Sequence, residues 1–187
     1  ADLWGGRYHW RLVDQGAFPG LLAPSPTGYL IYDTLSARLH PRRACAALAD
    51  AIRARGGQVV TAPSQTPAVE VWATGAAGLA DLSNALGRAA GAAVKGQAAL
   101  LRADLARAPQ LFAEALHIVP HADGTVAIGS TSERDYDDPS GTDAGLDALI
   151  DLARYHCPVL QDAPVIERWA GLRPRARSRA PMLGAHP

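Results

Sequence analysis

The sequence has few cysteines and no surplus of charge of either sign. Among its 187 residues only Cys45 and Cys157 are cysteines, and 18 basic residues balance 18 acidic ones. Two distant thiols without metal-type spacing do not indicate a disulfide framework, so we expect a reduced, cytoplasmic protein. Nucleic-acid-binding proteins normally carry a clear positive excess, so the zero net charge argues against nucleic acid as a partner.

Long apolar runs and a dinucleotide-binding motif are also absent. No run reaches the roughly 18 residues that a membrane span needs, so no membrane interaction is expected. No Gly-x-Gly-x-x-Gly follows a predicted strand, so the sequence lacks the turn that cradles a pyrophosphate in a Rossmann fold. His117 and His121 lie four residues apart, but Pro120 and the strand-to-turn context between them argue against a metal pair, and no metal site is predicted.

The residues that are present predict a mixture of helices and strands. Helices are predicted from Pro41 to the Gly56-Gly57 stop, from Gly75 to Leu86, and from an N-cap at Thr142 to a point before Pro158. Strands are predicted at residues 29–32, 58–61, 69–73, 94–102, 116–120, 125–130 and 165–172, with a break at Pro63–Pro67 and loops elsewhere before residue 41. The Asp123-Gly124 pair indicates a hairpin between two of these strands. The predicted fold class is α+β (mixed α/β), with an antiparallel or mixed sheet flanked by helices.

Four short motifs follow one another from about residue 70 onward. They are Val71-Trp72-Ala73-Thr74-Gly75-Ala76; Lys95-Gly96-Gln97; His117-Ile118-Val119-Pro120 with Asp123-Gly124 and Ile128-Gly129-Ser130-Thr131; and Trp169-Ala170-Gly171-Leu172-Arg173-Pro174 with Pro181-Met182-Leu183-Gly184. In this order they resemble the D-amino-acid oxidase/glycine oxidase family of FAD-dependent oxidoreductases. Gly28–Tyr32 and Leu39-His40-Pro41 add weaker support.

The resemblance implies a domain organisation. Members of the family are two-domain flavoproteins, and residues 1–187 correspond to the substrate-side portion, with 41–93 a candidate contribution to the cofactor-binding domain. The family's dinucleotide-binding turn and its closing glycine-rich segment have no counterpart in this sequence. We therefore expect this sequence to be part of a longer protein.

The resemblance also implies an activity. The expected function is oxidation of the C–N bond of a small-molecule amine or amino acid, by hydride transfer to FAD as the cofactor. One alternative is a flavoprotein that acts on a modified tRNA base, a polyamine conjugate or an N-methyl amino acid. Another is an isolated substrate-binding domain without flavin or activity. The oligomeric state is not predicted.

The resemblance assigns roles to particular side chains. Arg173 is the candidate for gripping the substrate carboxylate, because a guanidinium matches a carboxylate with two parallel hydrogen bonds. The alternative for Arg173 is an ion pair with a neighbour such as Glu167. His117 stands where relatives often have a substrate-contacting tyrosine, and it is the second substrate-binding candidate. The cofactor-binding candidates are Thr74, Gly75, Gly96 and Gln97. No side chain is predicted to act as a catalytic acid or base.

Overall fold

The computed structural model describes residues 6–18, 20–21, 23–62 and 68–187. In these ranges the strands are β1 (Trp10–Asp14), β2 (Tyr29–Asp33), β3 (Gly91–Arg102), β4 (Leu111–Ala113), β5 (Leu116–Pro120), β6 (Thr125–Gly129) and β7 (Val165–Ala176). The helices are α1 (Pro41–Ala54), α2 (Gly75–Ala85) and α3 (Ala144–His156), and a short 3-10 helix covers Pro158–Leu160. The predicted break at Pro63–Pro67 lies outside the described residues.

The larger sheet has five strands in the order β4-β5-β6-β3-β7, and every neighbouring pair is antiparallel. Successive residues of a strand point to opposite faces, so each strand presents one face to the core and one outward. The inner face packs against α3 around fully buried apolar side chains. They include Leu101, Ile118, Val126, Ile128 and Leu146. The predicted α+β class with an antiparallel sheet and flanking helices is confirmed.

The smaller sheet and α1 are more exposed than the five-stranded sheet. β1 and β2 form an antiparallel pair of five residues each. α1 begins at Pro41, as predicted, but it contains no buried residue. Leu48 and Ile52, the apolar residues whose helical spacing predicted a packed face, are 66% and 48% exposed.

Several predicted elements differ from the structure. The strands predicted at 58–61 and 69–73 are wrong, because both segments are irregular and mostly exposed. A strand needs a neighbouring backbone to receive its hydrogen bonds, and no described strand pairs with either segment. The N-cap of α3 is Asp143 and not Thr142, since the Asp143 carboxylate accepts the backbone N–H of Gly145 at 2.8 Å. The short strands β1 and β4 were not predicted.

None of the helices in the described ranges has the length and apolar character needed to cross a membrane.

Candidate functional site

The outer face of the larger sheet carries both substrate-binding candidates. His117 pairs with Gly129, Gly129 with Ala98, and Ala98 with Trp169, so these four residues form one row across β5, β6, β3 and β7. Directly paired residues in antiparallel strands point to the same face. Arg173 lies four residues beyond Trp169 on β7 and therefore shares that face. On β6 and β3 this row consists of the small residues Gly129 and Ala98.

Arg173 is held by its guanidinium on this outer face. Its Nη1 donates to the Ser130 hydroxyl at 3.1 Å, and its Nη2 donates to the Thr131 carbonyl oxygen at 2.8 Å. Glu167, the neighbour considered as a partner for Arg173, instead accepts hydrogen bonds from Arg42. Within the described residues Arg173 forms no ion pair with a carboxylate, and its side chain is exposed. Its charge is therefore available to an anionic ligand.

Thr131 connects Arg173 with the opposite face of the sheet. Its carbonyl oxygen binds Arg173, while its hydroxyl accepts the backbone N–H of Gln97 at 2.8 Å and donates to the Glu133 carboxylate. The Ser130-Thr131 segment, which binds the guanidinium, is therefore itself hydrogen-bonded to β3. Ser130, Thr131 and Glu133 were not among the predicted site residues. The Ile128-Gly129-Ser130-Thr131 motif was the available signal for the first two.

Gln97 lies on the inner face and is fully buried. Its amide nitrogen donates to Glu133 at 3.0 Å and to Asp143 at 2.8 Å, and its amide oxygen accepts the Asp143 backbone N–H at 2.8 Å. Both amide hydrogens are therefore used within the protein. The contact between Gln97 and a cofactor stays a prediction, while the contacts described here join β3 to the start of α3.

Lys95 completes this network as a buried cation. Its Nζ lies 3.5 Å from Glu133 and 3.7 Å from Asp143, and its backbone pairs with that of Glu133. Hydrogen bonding by the Thr131 hydroxyl, the Gln97 amide and Lys95 lowers the pKa of Glu133. Hydrogen bonds from Gln97 and the Gly145 N–H lower the pKa of Asp143. Both carboxylates are thus held ionised beside the lysine, so the buried charge is compensated.

His117 is exposed and packs against Phe112, with ring centroids 4.5 Å apart. Both rings line a cavity of about 970 Å³ between the two sheets. Tyr32 and Arg38 contribute to the wall opposite the strands β4 and β5. The structure therefore places His117, which points to the Arg173 face of the sheet, in the lining of this cavity.

Thr74 and Gly75 lie at the N-terminus of α2, and Gly75 has a φ of +66°. They line a cleft of about 700 Å³ that also contains Arg175 and Arg179. No acidic residue is among the described residues that line it. A helix N-terminus with nearby arginines favours an anionic group, and this property fits a phosphate-bearing cofactor. Pro174, the residue after Arg173, also lines this cleft. The cleft therefore adjoins the position of Arg173 along β7.

Gly96 lies on the outer face next to Arg173, opposite Gly171 of β7. The structure thus brings Arg173 together with Gly96, and Thr74 together with Gly75. Gln97 lies on the face of β3 opposite to Gly96 and Arg173. His117 shares the Arg173 face but lies three strands away from β7.

Comparisons with known proteins show similarity to a family of flavoenzymes and to individual relatives. Residues 2–187 match the model of the family described as FAD dependent oxidoreductase. Over 74 residues the chain is 42% identical to the bifunctional protein ThiO/ThiG of Trichormus variabilis, covering 40% of this chain and 11% of that protein. Over 95 residues it is 34% identical to the glycine oxidase of Pseudomonas aeruginosa, covering 50% of this chain and 26% of that protein.

A solved structure is also similar. The glycine oxidase of Geobacillus kaustophilus superposes with a TM-score of 0.53 and 30% identity, over 62% of this chain and 32% of that protein. The matched part of the chain thus spans about a third or less of the length of these relatives.

Proposed function

This chain belongs to the family of FAD-dependent oxidoreductases, and we propose that it is the substrate-side portion of an enzyme that oxidises the C–N bond of an amino acid or related amine. The anchored guanidinium of Arg173 is the observation that carries this proposal. Two hydrogen bonds fix it on the open face of the sheet, without a carboxylate partner in the described residues. A substrate carboxylate would supply that partner.

Each residue of the site has a separate role in this proposal. Arg173 binds the carboxylate and so orients the carbon that bears the amine. Ser130 and Thr131 hold the guanidinium in place, so the side chain of Arg173 loses less conformational freedom when the substrate binds. His117 contacts the other end of the substrate at the rim of the cavity. When bound, FAD supplies the acceptor for the hydride that leaves this carbon.

The cofactor is proposed to approach from the α2 side. Thr74 and Gly75 would contact it at the N-terminus of α2, where the cleft carries two arginines. Gly96 would allow the cofactor to approach the outer face of β3 closely. Gln97 would contribute from the inner face, because its backbone N–H holds the Thr131 hydroxyl. The sequence has no pyrophosphate-cradling turn, so these residues provide part of a cofactor site.

The exposed surface of α1 supports a domain division. An amphipathic helix normally buries its apolar face, yet Leu48 and Ile52 are exposed here. We propose that residues 41–93 contribute to the cofactor-binding domain, and that 1–187 as a whole is the substrate-side portion. Under this proposal the apolar face of α1 packs against the remainder of that domain.

The decisive experiment pairs substrates that differ only in the carboxylate. Glycine and methylamine share the amine, but only glycine offers a carboxylate to Arg173. In the FAD-loaded protein that carries this chain, we expect Arg173→Gln to raise the KM for glycine by about 10- to 100-fold, as for loss of a charged hydrogen bond. Turnover of methylamine, slow in both proteins, should change by less than about twofold.

Two outcomes would contradict the proposal. Equal losses for both substrates would show that Arg173 supports the fold instead of binding the carboxylate. The second outcome is that the 187-residue chain stays colourless when FAD is added and the protein that carries it also shows no flavin absorbance. This chain would then be a substrate-binding domain without flavin or activity. Preference for an N-methyl amino acid would refine the substrate without changing the role of Arg173.

A further inference from the structure

A cluster of two histidines and one carboxylate lies away from the Arg173 site. His40 immediately precedes α1, whereas His121 and Asp123 lie in the turn between β5 and β6. One potential ligand atom from each residue lies within 4.8 Å of the others. The two imidazole rings face each other with centroids 4.3 Å apart. The fold thus brings together donors from two separate parts of the chain.

Hydrogen bonding determines which nitrogen of His121 carries the proton. The Thr125 hydroxyl donates its single hydrogen to Asp123 Oδ1 at 2.6 Å. It can then only accept from His121 Nδ1, which lies 3.0 Å away. Nδ1 is therefore protonated, and Nε2 of the neutral imidazole carries a free lone pair. This is the arrangement in which an imidazole binds a metal through Nε2.

The free lone pair lies in a place where water does not reach it. His121 is 6% exposed, and its Nε2 is buried without a hydrogen-bond partner in the described part of the chain. A buried polar atom without a partner costs free energy, so His121 Nε2 favours the binding of a ligand at this position. We propose that His40, His121 and Asp123 bind one Zn²⁺ ion and thereby fix the start of α1 to the β5–β6 hairpin.

The donor set and its geometry favour zinc. Two imidazole nitrogens and one carboxylate oxygen suit Zn²⁺, whereas Mg²⁺ and Ca²⁺ prefer oxygen ligands alone. His40 Nε2 and Asp123 Oδ2 are 3.5 Å apart, close to the roughly 3.4 Å that separates two ligands of a tetrahedral zinc ion. Three protein ligands leave the fourth position to water. Thr125 orients both His121 and Asp123 from behind.

Arg43 competes with a cation for the same carboxylate. Its Nη2 lies 3.0 Å from Asp123 Oδ2, but its side chain is 66% exposed. The guanidinium can therefore turn into solvent when a metal ion takes the oxygen. Removing this positive charge should strengthen zinc binding, which an ordinary destabilising substitution would not do.

The test is a calorimetric titration of the EDTA-treated 187-residue chain with ZnCl2. A Cys45→Ser background removes the exposed thiol as an unrelated zinc ligand. We expect one Zn²⁺ per chain and a higher Tm with zinc. His40→Ala and Asp123→Asn should weaken binding by about tenfold or more, and Thr125→Val by about 10- to 100-fold. Arg43→Gln should tighten it.

The control is His9→Ala, which removes an exposed imidazole from the β1 side and should leave zinc binding unchanged. Co²⁺ in place of Zn²⁺ should give the visible absorption of a four-coordinate site in the parent and not in His40→Ala. The proposal is overturned if the parent chain binds no zinc. It also fails if binding persists in both His40→Ala and Asp123→Asn, or falls equally in His9→Ala.

Discussion

The guanidinium of Arg173 lies directly over Gly96. A Cβ atom at position 96 would be 3.1 Å from Arg173 Nη2, 3.2 Å from its Cζ and 3.2 Å from the Thr131 carbonyl oxygen. The Thr131 oxygen is itself the acceptor for Nη2. Glycine at this position therefore leaves the space in which the arginine and its acceptor meet.

Gly96→Ala should displace the guanidinium by a few tenths of an ångström. We expect weaker binding of a carboxylate substrate, by on the order of tenfold, because small misplacements of a positioning group are costly. KM for glycine in the FAD-loaded protein that carries this chain is the measurement. Gly171→Ala is the matched control, since Gly171 pairs with Gly96 and a Cβ there meets nothing within 4 Å. An equal change in both variants would refute the steric explanation.

Gln97→Leu should destabilise the chain even without any cofactor. The substitution removes from a fully buried position the amide that bonds Glu133 and Asp143, at a cost of about 1–3 kcal/mol. We expect a fall in Tm of several degrees in the flavin-free chain, measured by circular dichroism. Gln58→Leu, at an exposed position, should change Tm little. An unchanged Tm for Gln97→Leu would mean that the network contributes little, and would favour the predicted cofactor contact.

Acid should weaken the fold through Glu133 and Asp143. Their pKa values are lowered in the folded state from the ordinary values of 4.5 and 3.8. A lowered folded pKa gives stability that is present above the unfolded value and is lost as the pH falls through the folded one. The unfolding free energy should therefore decline below about pH 4.5. Urea titrations between pH 7 and pH 3 should show a shallower decline in Glu133→Gln than in the parent chain.

The two cysteines should react at very different rates. Cys157 is buried, its Sγ contacts the Gly20 carbonyl oxygen at 3.3 Å, and burial raises its pKa to about 11. Since the thiolate is the reactive form, Cys157 should be inert at pH 8, whereas the exposed Cys45 should react. A colorimetric thiol assay should count one thiol in the native chain and two in urea. Cys45→Ser should leave none in the native state, and a reactive thiol there would contradict the burial of Cys157.

The sequence determined the features that depend on neighbouring residues. Pro41 and the following apolar spacing predicted α1, Asp123-Gly124 predicted the β5–β6 hairpin, and the motif around Arg173 predicted the family. Local backbone preferences and short motifs act over a few residues, so they can be read without knowledge of the fold.

The tertiary structure decided which side chains meet. Only the strand register shows that Arg173 and His117 share one face and that Gln97 points to the other. Only the packing of α1 beside β7 shows that Glu167 pairs with Arg42. Only the tertiary structure shows that His40 and His121 lie side by side. It also shows that segments 58–61 and 69–73 form no strand in the described structure. A hydrogen bond or an ion pair requires a partner from a distant part of the chain, and the sequence does not specify how that partner is placed.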